Sequence, residues 1–387
     1  MPNRSSSSDV VVVGAGAVGL AVAWRAAQRG LHVTVLERAD APGAATSSVA
    51  AGMLAPISET IATELPLMRL GLASVDMYPE FVQELSDATA MDPGYLRCGT
   101  LLAARDSDEA EALTRELALR ESLGLAVSRL RSSEARRLEP ALAPALRLAL
   151  EIPDDHAIDP RKLTAALAEA VRHGGATLRT GAAVDEVSVA DGRVKGVRLT
   201  GGEQISAEHV VIAAGPWTEA VRGLPRHACI PIHPVKGQIL RLHDPAGPGL
   251  LTRVLRMTGG YVVPRGDGRY VIGATMEERG FDRTVTAGGA FELLRNAFEL
   301  LPSVTELVID ELSAGLRPAT PDNAPAIGPG SIPGLHWAVG HYRHGILLTP
   351  ITAKLVVQAL TGDDDAIPDE FAPTRFAGVP AAAGVGA

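Results

Sequence analysis

Val10-Val-Val-Val-Gly-Ala-Gly-Ala-Val-Gly19 is the stretch that decides the fold. Its four valines are β-branched and predict a strand that is buried on both faces, as in a parallel sheet. The GxGxxG turn that follows opens an apolar helix, which we expect to run to about Arg29 and to stop at Gly30. Residues 31–36 (LHVTVL) predict a second strand. The sequence therefore predicts a βαβ unit of about 30 residues.

The glycines of this turn and the acid beyond it fit a bound dinucleotide. Gly14 allows the tight turn, Gly16 lets the backbone approach a pyrophosphate, and Gly19 lets the helix pack against the sheet. A pyrophosphate then lies at a helix N-terminus, where free N–H groups and the helix dipole favour anions. Glu37 ends the second strand and is placed to bind a ribose diol, which disfavours the 2′-phosphate of NADP. We therefore predict dinucleotide binding.

Composition excludes several classes of protein. The 387 residues carry 36 Lys and Arg against 45 Asp and Glu, a net charge of −9, so we expect no nucleic-acid partner. A hydrophobic fraction of 46% excludes wholesale disorder. Cys98 and Cys229 lie too far apart in sequence for a disulfide framework, which fits a cytoplasmic location. The charge-free residues 10–24 are shorter than a membrane span of roughly 20 residues, so no membrane partner is expected.

Hydrophobic periodicity and turn residues predict the remaining elements. Residues 42–55 are rich in Gly, Ala, Ser and Thr and predict an ordered loop. Helices are predicted at about 105–123, 132–138, 163–171 and 350–360, the last with Thr349 as N-cap and Pro350 as its first residue. Strands are predicted at 176–180, 184–189, 193–199, 208–213, 235–242, 260–264, 269–273 and 304–312. Beyond Pro373 the Ala/Gly/Pro-rich tail is predicted to be disordered.

The loop at 43–53 and the stretch at 213–217 (AAGPW) extend the dinucleotide motif. With Glu37 they give the chain, from about residue 9 to 375, a sequence that resembles the FAD-dependent oxidoreductases of the D-amino-acid oxidase type. The resemblance implies a mixed α/β (α+β) fold. A Rossmann-type FAD-binding domain would take residues 1–90, 150–225 and 315–387. An antiparallel-sheet substrate domain would take residues 91–149 and 226–314.

Within that superfamily the sequence is most similar to glycine oxidases. Five stretches carry the likeness: 48–54 (SVAAGML), 234–238 (PVKGQ), 261–265 (YVVPR), 314–318 (AGLRP) and 340–348 (GHYRHGILL). This resemblance implies oxidative deamination of glycine by hydride transfer to flavin N5. The products would be glyoxylate, ammonia and, with oxygen as acceptor, hydrogen peroxide. It also implies a role in thiamin thiazole biosynthesis.

The resemblance assigns contacts to FAD and to the substrate. The residues expected to contact FAD are Gly14, Gly16, Ala17, Val18, Gly19, Glu37, Arg38, Thr46, Ser47, Ala51, Gly52, Met53, Val184, Gly215, His341, Tyr342, Arg343, His344, Gly345, Ile346 and Leu347. Arg317 would bind the substrate carboxylate through two parallel donors, and the Tyr261 hydroxyl would join it. Met276 would wall the pocket, and Arg343 would lie near the substrate amine. No residue is required as a catalytic acid or base.

The sequence also departs from its relatives. Gly259 stands where some glycine oxidases have histidine, and Val271 stands near the position of the oxygen-activating lysine of sarcosine oxidases. No cysteine lies near Arg317, which predicts non-covalent FAD. The spacing of His341 and His344 could suggest a metal pair, but no acidic or cysteine ligands accompany them, and no metal is expected.

Three functions remain open at this point. Besides a glycine oxidase, the chain could be a D-amino-acid or sarcosine-type dehydrogenase or oxidase, or a flavin-binding protein without turnover. The preferred substrate among glycine, sarcosine, N-ethylglycine and D-alanine is also open. Family likeness suggests a homo-oligomer, with a tetramer as one form.

Overall fold

The computed structural model describes residues 7–363 and 367–377. Its strands are β1 (Ser7–Val13), β2 (Val33–Leu36), β3 (Met53–Leu54), β4 (Tyr95–Leu96), β5 (Thr100–Ala104), β6 (Ser128–Arg131), β7 (Leu148–Ile152), β8 (His156–Ile158), β9 (Thr177–Arg179), β10 (Val184–Ala190), β11 (Arg193–Leu199), β12 (Gln204–Ile212), β13 (His233–His243), β14 (Val254–Met257), β15 (Gly260–Pro264), β16 (Arg269–Gly273), β17 (Val308–Ala319), β18 (Ala326–Pro329) and β19 (Leu335–Val339). Its α-helices are α1 (Ala17–Gln28), α2 (Thr46–Val49), α3 (Leu65–Thr89), α4 (Ser107–Ser122), α5 (Ser132–Leu138), α6 (Pro160–His173), α7 (Ala287–Leu300) and α8 (Thr349–Leu360).

The valine run forms the centre of the first sheet, in which β1 lies between β2 and β12 and is parallel to both. Successive side chains of a strand point to opposite faces. Accordingly, Val10 and Val12 join the core cluster that contains α1, α3, α6 and α8, whereas Val11 and Val13 join a second cluster on the other face. The predicted strand with two buried faces is confirmed.

The second sheet has the strand order β17-β13-β16-β15-β14-β5-β7-β6. Its pairs are antiparallel with one exception, since β14 and β5 are parallel. The predicted antiparallel sheet is therefore confirmed, with this one parallel pair within it. No hairpin joins β5 to β14, because about 150 residues of chain separate them, so connectivity does not force opposite directions.

The membership of strands in the two sheets supports a discontinuous division of the chain. Residues 7–36, 177–212 and 326–339 supply the first sheet, and 100–152 and 233–319 supply the second. The division into an FAD-binding and a substrate-binding domain remains a proposal. Its boundaries at residues 150 and 315 fall inside β7 and β17, two strands of the second sheet.

Two long helices had no sequence prediction. In α3 the buried residues recur at helical spacing, but Pro79 in its interior lowers the helix propensity of the segment. In α7 the buried Leu293, Ala297 and Leu300 form the core-facing side, and the two glycines at its start weaken the signal. Tertiary packing stabilises both helices despite these residues.

Three predicted features near the C-terminal half differ from the structure. The strand predicted at 304–312 begins only at Val308, because Pro302–Glu306 forms a 3₁₀ helix with proline in its first turn. Thr349 is the first residue of α8 rather than its N-cap, and its hydroxyl donates to the Gly345 carbonyl. Of the tail, Pro373–Phe376 forms a 3₁₀ helix with Phe376 buried, and residues 378–387 lie outside the described residues.

Hydropathy gives a separate result. Within residues 7–363 and 367–377, no helix combines the length and the apolar character that crossing a membrane requires.

The start of α1 packs directly on the glycine turn. A Cβ atom on Gly19 would overlap the carbonyl oxygen of Gly14 and lie 3.2 Å from the Cβ of Ala213. Gly14 itself has φ +107°, a conformation that side chains other than glycine rarely adopt. The helix can therefore approach the sheet this closely only because both positions are glycine.

We expect Gly19→Ala to lower the free energy of unfolding by about 1–3 kcal/mol, because the new methyl group meets backbone that cannot move cheaply. Gly288→Ala is a matched control, since Gly288 also lies in the first turn of a helix and an added Cβ meets no atom within 4 Å. That control should raise the same free energy by about 0.5–1 kcal/mol. Chemical denaturation measures both, and equal effects of the two substitutions would contradict the close packing of α1.

Candidate active site

One cavity of about 790 Å³ runs between the two sheets. Its volume lies within the roughly 300–1,000 Å³ typical of ligand pockets. Gly14 and the start of α1 line one end, and Tyr261 and Arg317 line the other. The structure therefore places the predicted dinucleotide motif and the predicted carboxylate clamp in a single space.

The N-terminus of α1 provides donors at the first end. The N–H group of Ala17 donates to the hydroxyl oxygen of Ser47, over 3.1 Å. Because Ser47 accepts in this bond, its own hydroxyl hydrogen remains available to a ligand. The N–H groups of Val18 and Gly19 belong to the first helical turn, which lacks intrahelical partners. These donors fit the pyrophosphate predicted here.

Glu37 lies deeper along the same wall. Its Oε2 accepts from the N–H of Ala15 over 2.7 Å, and its Oε1 accepts from the N–H of Ala39 over 3.0 Å. These two bonds fix the carboxylate, which lines the cavity although the residue is only 9% exposed. Each carboxylate oxygen keeps a further lone pair, so the predicted bonds from ribose hydroxyls fit this arrangement.

Arg38 and Trp217 flank this region. The guanidinium carbon of Arg38 lies 3.7 Å from the ring centroid of Trp217, a cation–π contact. Burial lowers the pKa of Arg38. Trp217 had no predicted role, although it belongs to the AAGPW stretch. The pair forms a flat wall beside Val184 and Gly215, which also line the cavity.

At the second end, glycines make room for Arg317 and Tyr261. A Cβ on Gly237 would lie 2.6 Å from Nη1 of Arg317, and a Cβ on Gly273 would lie 2.5 Å from the Tyr261 hydroxyl. Nη1 of Arg317 donates to the carbonyls of Lys236 (3.3 Å) and Thr275 (3.1 Å). These bonds fix one arm of the guanidinium, so that the other is available to a carboxylate.

Tyr261 remains a hydrogen-bond donor at neutral pH. Burial raises the pKa of its phenol, and the nearby positive charge of Arg317 offsets only part of that effect. A protonated phenol and a guanidinium together present donors to an anion. Tyr261 and Arg317 are thus brought together in the way that the resemblance predicts for a carboxylate clamp.

Glu59 and Arg256 complete this end, and sequence reasoning missed both. Oε2 of Glu59 lies 3.5 Å from Nε of Arg343 and 3.4 Å from Nδ1 of His344, and its Oε1 lies 3.5 Å from Nη2 of Arg256. Burial alone would raise the pKa of Glu59, but the positive charges of Arg256 and Arg343 hold it below its usual value. Glu59 is therefore an anion at neutral pH.

The segment that carries Glu59 is fixed on both sides. Asp155 accepts from the N–H groups of Ile57 (3.0 Å) and Ser58 (2.6 Å). The buried Arg120 donates to the carbonyls of the same two residues, over 3.0 and 2.9 Å. Because the N–H and C=O groups of two adjacent residues are hydrogen-bonded, the backbone next to Glu59 is held in place.

His341 and His344 are neutral at physiological pH. Burial lowers the pKa of His341 to about 3 and that of His344 to about 4. Nε2 of His341 lies 3.0 Å from the Thr352 hydroxyl. Among the described residues, no group of three or more His, Cys, Asp or Glu side chains is arranged to hold a metal ion.

Met276 and Leu347 differ in their relation to the cavity. Met276 lines it at its mouth, where the residue is 67% exposed and its sulfur accepts from the Tyr342 hydroxyl at 3.4 Å, and its role as a wall of the substrate pocket stays a prediction. Leu347 does not line the cavity, because its side chain is buried in the helical core and its carbonyl accepts from Ser74. The other predicted site residues all line the cavity.

The two positions that depart from relatives have distinct surroundings. Gly259 lines the cavity, and its carbonyl accepts from the Asn296 side chain at 3.1 Å. Val271 is 1% exposed within a core cluster that includes Tyr261. Neither position therefore presents a polar side chain to the cavity.

Comparisons with known proteins place these features in context. The family model described as FAD dependent oxidoreductase matches residues 9–359. The glycine oxidase of Geobacillus kaustophilus is 36% identical, over 96% of this chain and 97% of that protein. The bifunctional protein ThiO/ThiG of Synechocystis sp. is 37% identical over 96% of this chain but only 54% of its own length. The chain thus spans about half of such bifunctional relatives.

Solved structures agree with this assignment. The crystal structure of the G. kaustophilus glycine oxidase has a TM-score of 0.89 at 35% identity, covering 96% of this chain and 99% of that one. The iminodiacetate oxidase of Chelativorans sp. BNC1 has a TM-score of 0.84 at 28% identity, covering 94% and 98%. Nearly all of the chain therefore shares its architecture with these proteins.

The glycine beneath Arg317 can be tested without changing the arginine. The three atoms closest to a Cβ at Gly237 all belong to the Arg317 guanidinium, so Gly237→Ala should displace that group and leave the fold intact. We expect acetate binding to weaken by roughly 10–100-fold, the effect of losing a charge-assisted hydrogen bond. Titration calorimetry measures the affinity. Gly201→Ala, with open space around its Cβ, is the control, and an unchanged affinity in the Gly237 variant would contradict the arrangement.

Proposed function

Because the chain belongs to the family of FAD dependent oxidoreductases, we propose that it is a glycine oxidase. It oxidises glycine or another small amine to glyoxylate or a 2-oxo acid, with release of ammonia or an amine and formation of hydrogen peroxide. The observation that carries this proposal is the single cavity that joins the anion-binding start of α1 to the clamp of Tyr261 and Arg317. The 36% identity to a glycine oxidase over nearly the whole of both chains supports the same substrate.

The residues of the site bind and orient the substrate. Bound FAD supplies the oxidising power, by accepting a hydride from the substrate α-carbon and passing electrons to oxygen. Arg317 and Tyr261 hold the carboxylate and thereby fix the direction of the α-carbon. Arg343 and Glu59 lie on the neighbouring wall, where the substrate amine is proposed to lie. Catalysis then depends on positioning.

The titratable groups of the site are poor proton acceptors at neutral pH. His344 has a pKa of about 4 and Glu59 has a pKa below its usual value, so neither holds a proton from an amine at neutral pH. Tyr261 is already protonated. We therefore propose that the substrate reacts as its neutral amine and that no residue acts as a catalytic base.

Non-covalent attachment of FAD is part of the proposal. Cys98 and Cys229 both lie in the described part of the chain, and neither lines the cavity, so neither thiol is placed to bond a flavin. A role in thiamin biosynthesis, which the resemblance implies, is supported by the match to half of the ThiO/ThiG proteins. The homo-oligomer and the cytoplasmic location stay predictions.

Anaerobic addition of glycine to the FAD-loaded protein should bleach the flavin absorption, and admission of air should restore it rapidly with formation of peroxide. Slow recovery in air would favour the dehydrogenase alternative. Failure of glycine, sarcosine and small D-amino acids to bleach the flavin would favour a binding protein without turnover. Stopped-flow absorbance and a peroxide assay measure these steps.

Arg317→Ala should raise KM for glycine steeply, at a cost of roughly 2–4 kcal/mol in transition-state binding. Arg317→Lys should recover only part of this loss, because an ammonium group cannot offer two parallel donors. Steady-state kinetics measure both variants at equal flavin content. An unchanged kcat/KM in Arg317→Ala would remove Arg317 from the substrate site.

The pH dependence of kcat/KM should reflect ionisation of the substrate amine and not ionisation of the residues in the site. Between pH 6 and 9 the imidazoles of His341 and His344 stay neutral, because their pKa values of about 3 and about 4 lie below that range. Tyr261 stays protonated because its pKa is raised, and Glu59 stays ionised because its pKa is lowered. Acetate affinity should thus be constant, whereas kcat/KM for glycine should rise with pH as the neutral amine increases. A tenfold change in acetate affinity within this range would show that a site group titrates.

A further inference from the structure

Arg256 has unused hydrogen-bonding capacity beside the carboxylate clamp. It pairs with Tyr261 across the antiparallel strands β14 and β15, so the two side chains project from one face, with Cβ atoms roughly 4.5–5.5 Å apart. One terminal nitrogen donates to the Ser58 carbonyl, and the other lies 3.5 Å from Glu59. The buried Nε has no hydrogen-bond partner among the described residues. Arg256 therefore has a donor left over through which it can bind an anion.

Glu59 occupies the position that such an anion would take. Its carboxylate lies between Arg256 on one side and Arg343 and His344 on the other. The hydrogen bonds that Asp155 and Arg120 make with the backbone of Ile57 and Ser58 hold the chain next to Glu59 in place. The protein thus supplies its own carboxylate to Arg256.

The charges at this end of the cavity fit one substrate carboxylate. Three guanidinium groups, of Arg256, Arg317 and Arg343, face the carboxylates of Glu59 and Glu64, and Glu64 pairs with Arg343 at 2.7 Å. Of these three, Arg317 has no carboxylate partner among the described ion pairs, and a single substrate carboxylate on the clamp pairs with it. A second substrate carboxylate would meet Glu59 and be repelled. Elsewhere on the lining, Arg120 pairs with Glu116, and Glu292 adds a further carboxylate that also disfavours a second anion.

We propose that Glu59 restricts the site to amines that carry one carboxylate, and that Arg256 is a second carboxylate site which Glu59 keeps filled. This inference rests on the proposed function only in placing the first carboxylate on Arg317 and Tyr261. Among the small amines proposed as substrates above, it excludes those with two carboxymethyl groups.

Two ethers that the enzyme cannot oxidise test the proposed selection for one carboxylate in the FAD-loaded wild-type protein. Methoxyacetate has one carboxylate, oxydiacetate has two, and neither contains a C–N bond that the enzyme could oxidise. Perturbation of the flavin absorption spectrum measures their dissociation constants. We expect methoxyacetate to bind at least tenfold more tightly. Equal or tighter binding of oxydiacetate would overturn the proposal, and this measurement requires no variant to fold.

Glu59→Gln keeps the shape of the side chain and removes its charge. It should shift the ratio of the two affinities at least tenfold towards oxydiacetate, and Arg256→Gln in the same chain should abolish the gain. Glu64→Gln is matched in charge, but Glu64 contacts Arg343 and Asn323 and not Arg256, so the ratio should stay at its wild-type value. An equal shift in Glu64→Gln would show a general charge effect and overturn the assignment to Glu59.

These binding measurements are independent of turnover. If glycine fails to bleach the flavin while the ether ratios follow this pattern, the proposed function is wrong and the selection by Glu59 stands. If glycine bleaches the flavin while the ratios are unaffected by Glu59→Gln, the function stands and this inference is wrong.

Discussion

The contact of the Arg317 guanidinium with the bare backbone at Gly237 is the constraint on which the rest of the site depends. It requires glycine in the interior of β13, a position where glycine weakens a strand. In return, a charged group lies flat against the sheet and is held by two carbonyls. Gly273 likewise leaves room for Tyr261, because a Cβ atom there would lie 2.5 Å from the Tyr261 hydroxyl. The clamp is thus built by removing side chains from two strands as much as by adding polar groups.

Sequence reasoning succeeded where the determinant is local. The GxGxxG turn, Glu37 and the valine run depend on sterics and alternation within one βαβ unit, and the structure places each as predicted. It failed where the determinant is distant. Glu59 and Arg256 are nearly 200 residues apart and meet only because β14 passes the segment at 57–59. The exposure of Met276 likewise depends on how a loop lies over the cavity mouth, which no periodicity encodes.

A signal for the clamp was nevertheless present in the sequence. An isolated glycine inside a strand pattern indicates close approach of another group. Gly237 lies inside the strand predicted at 235–242 and Gly273 ends the apolar run at 270–272, so together with Arg317 they could have been paired in advance. No comparable signal marks Glu59, since acidic residues in polar segments are usually solvated. Buried ion pairs between distant segments are therefore the least predictable part of this site.

The loop at Thr46 and Ser47 joins the two ends of the cavity mechanically. Ser47 accepts from the first turn of α1, while the Thr46 hydroxyl donates to the carbonyl of Leu316, the residue next to Arg317. Two consecutive hydroxyls thus tether the first turn of α1 to β17, the strand that carries Arg317. Adding or removing a residue here, which most surface loops tolerate, would disturb both hydrogen bonds at once. The loop therefore sets the distance between the predicted nucleotide site and the predicted amino-acid site.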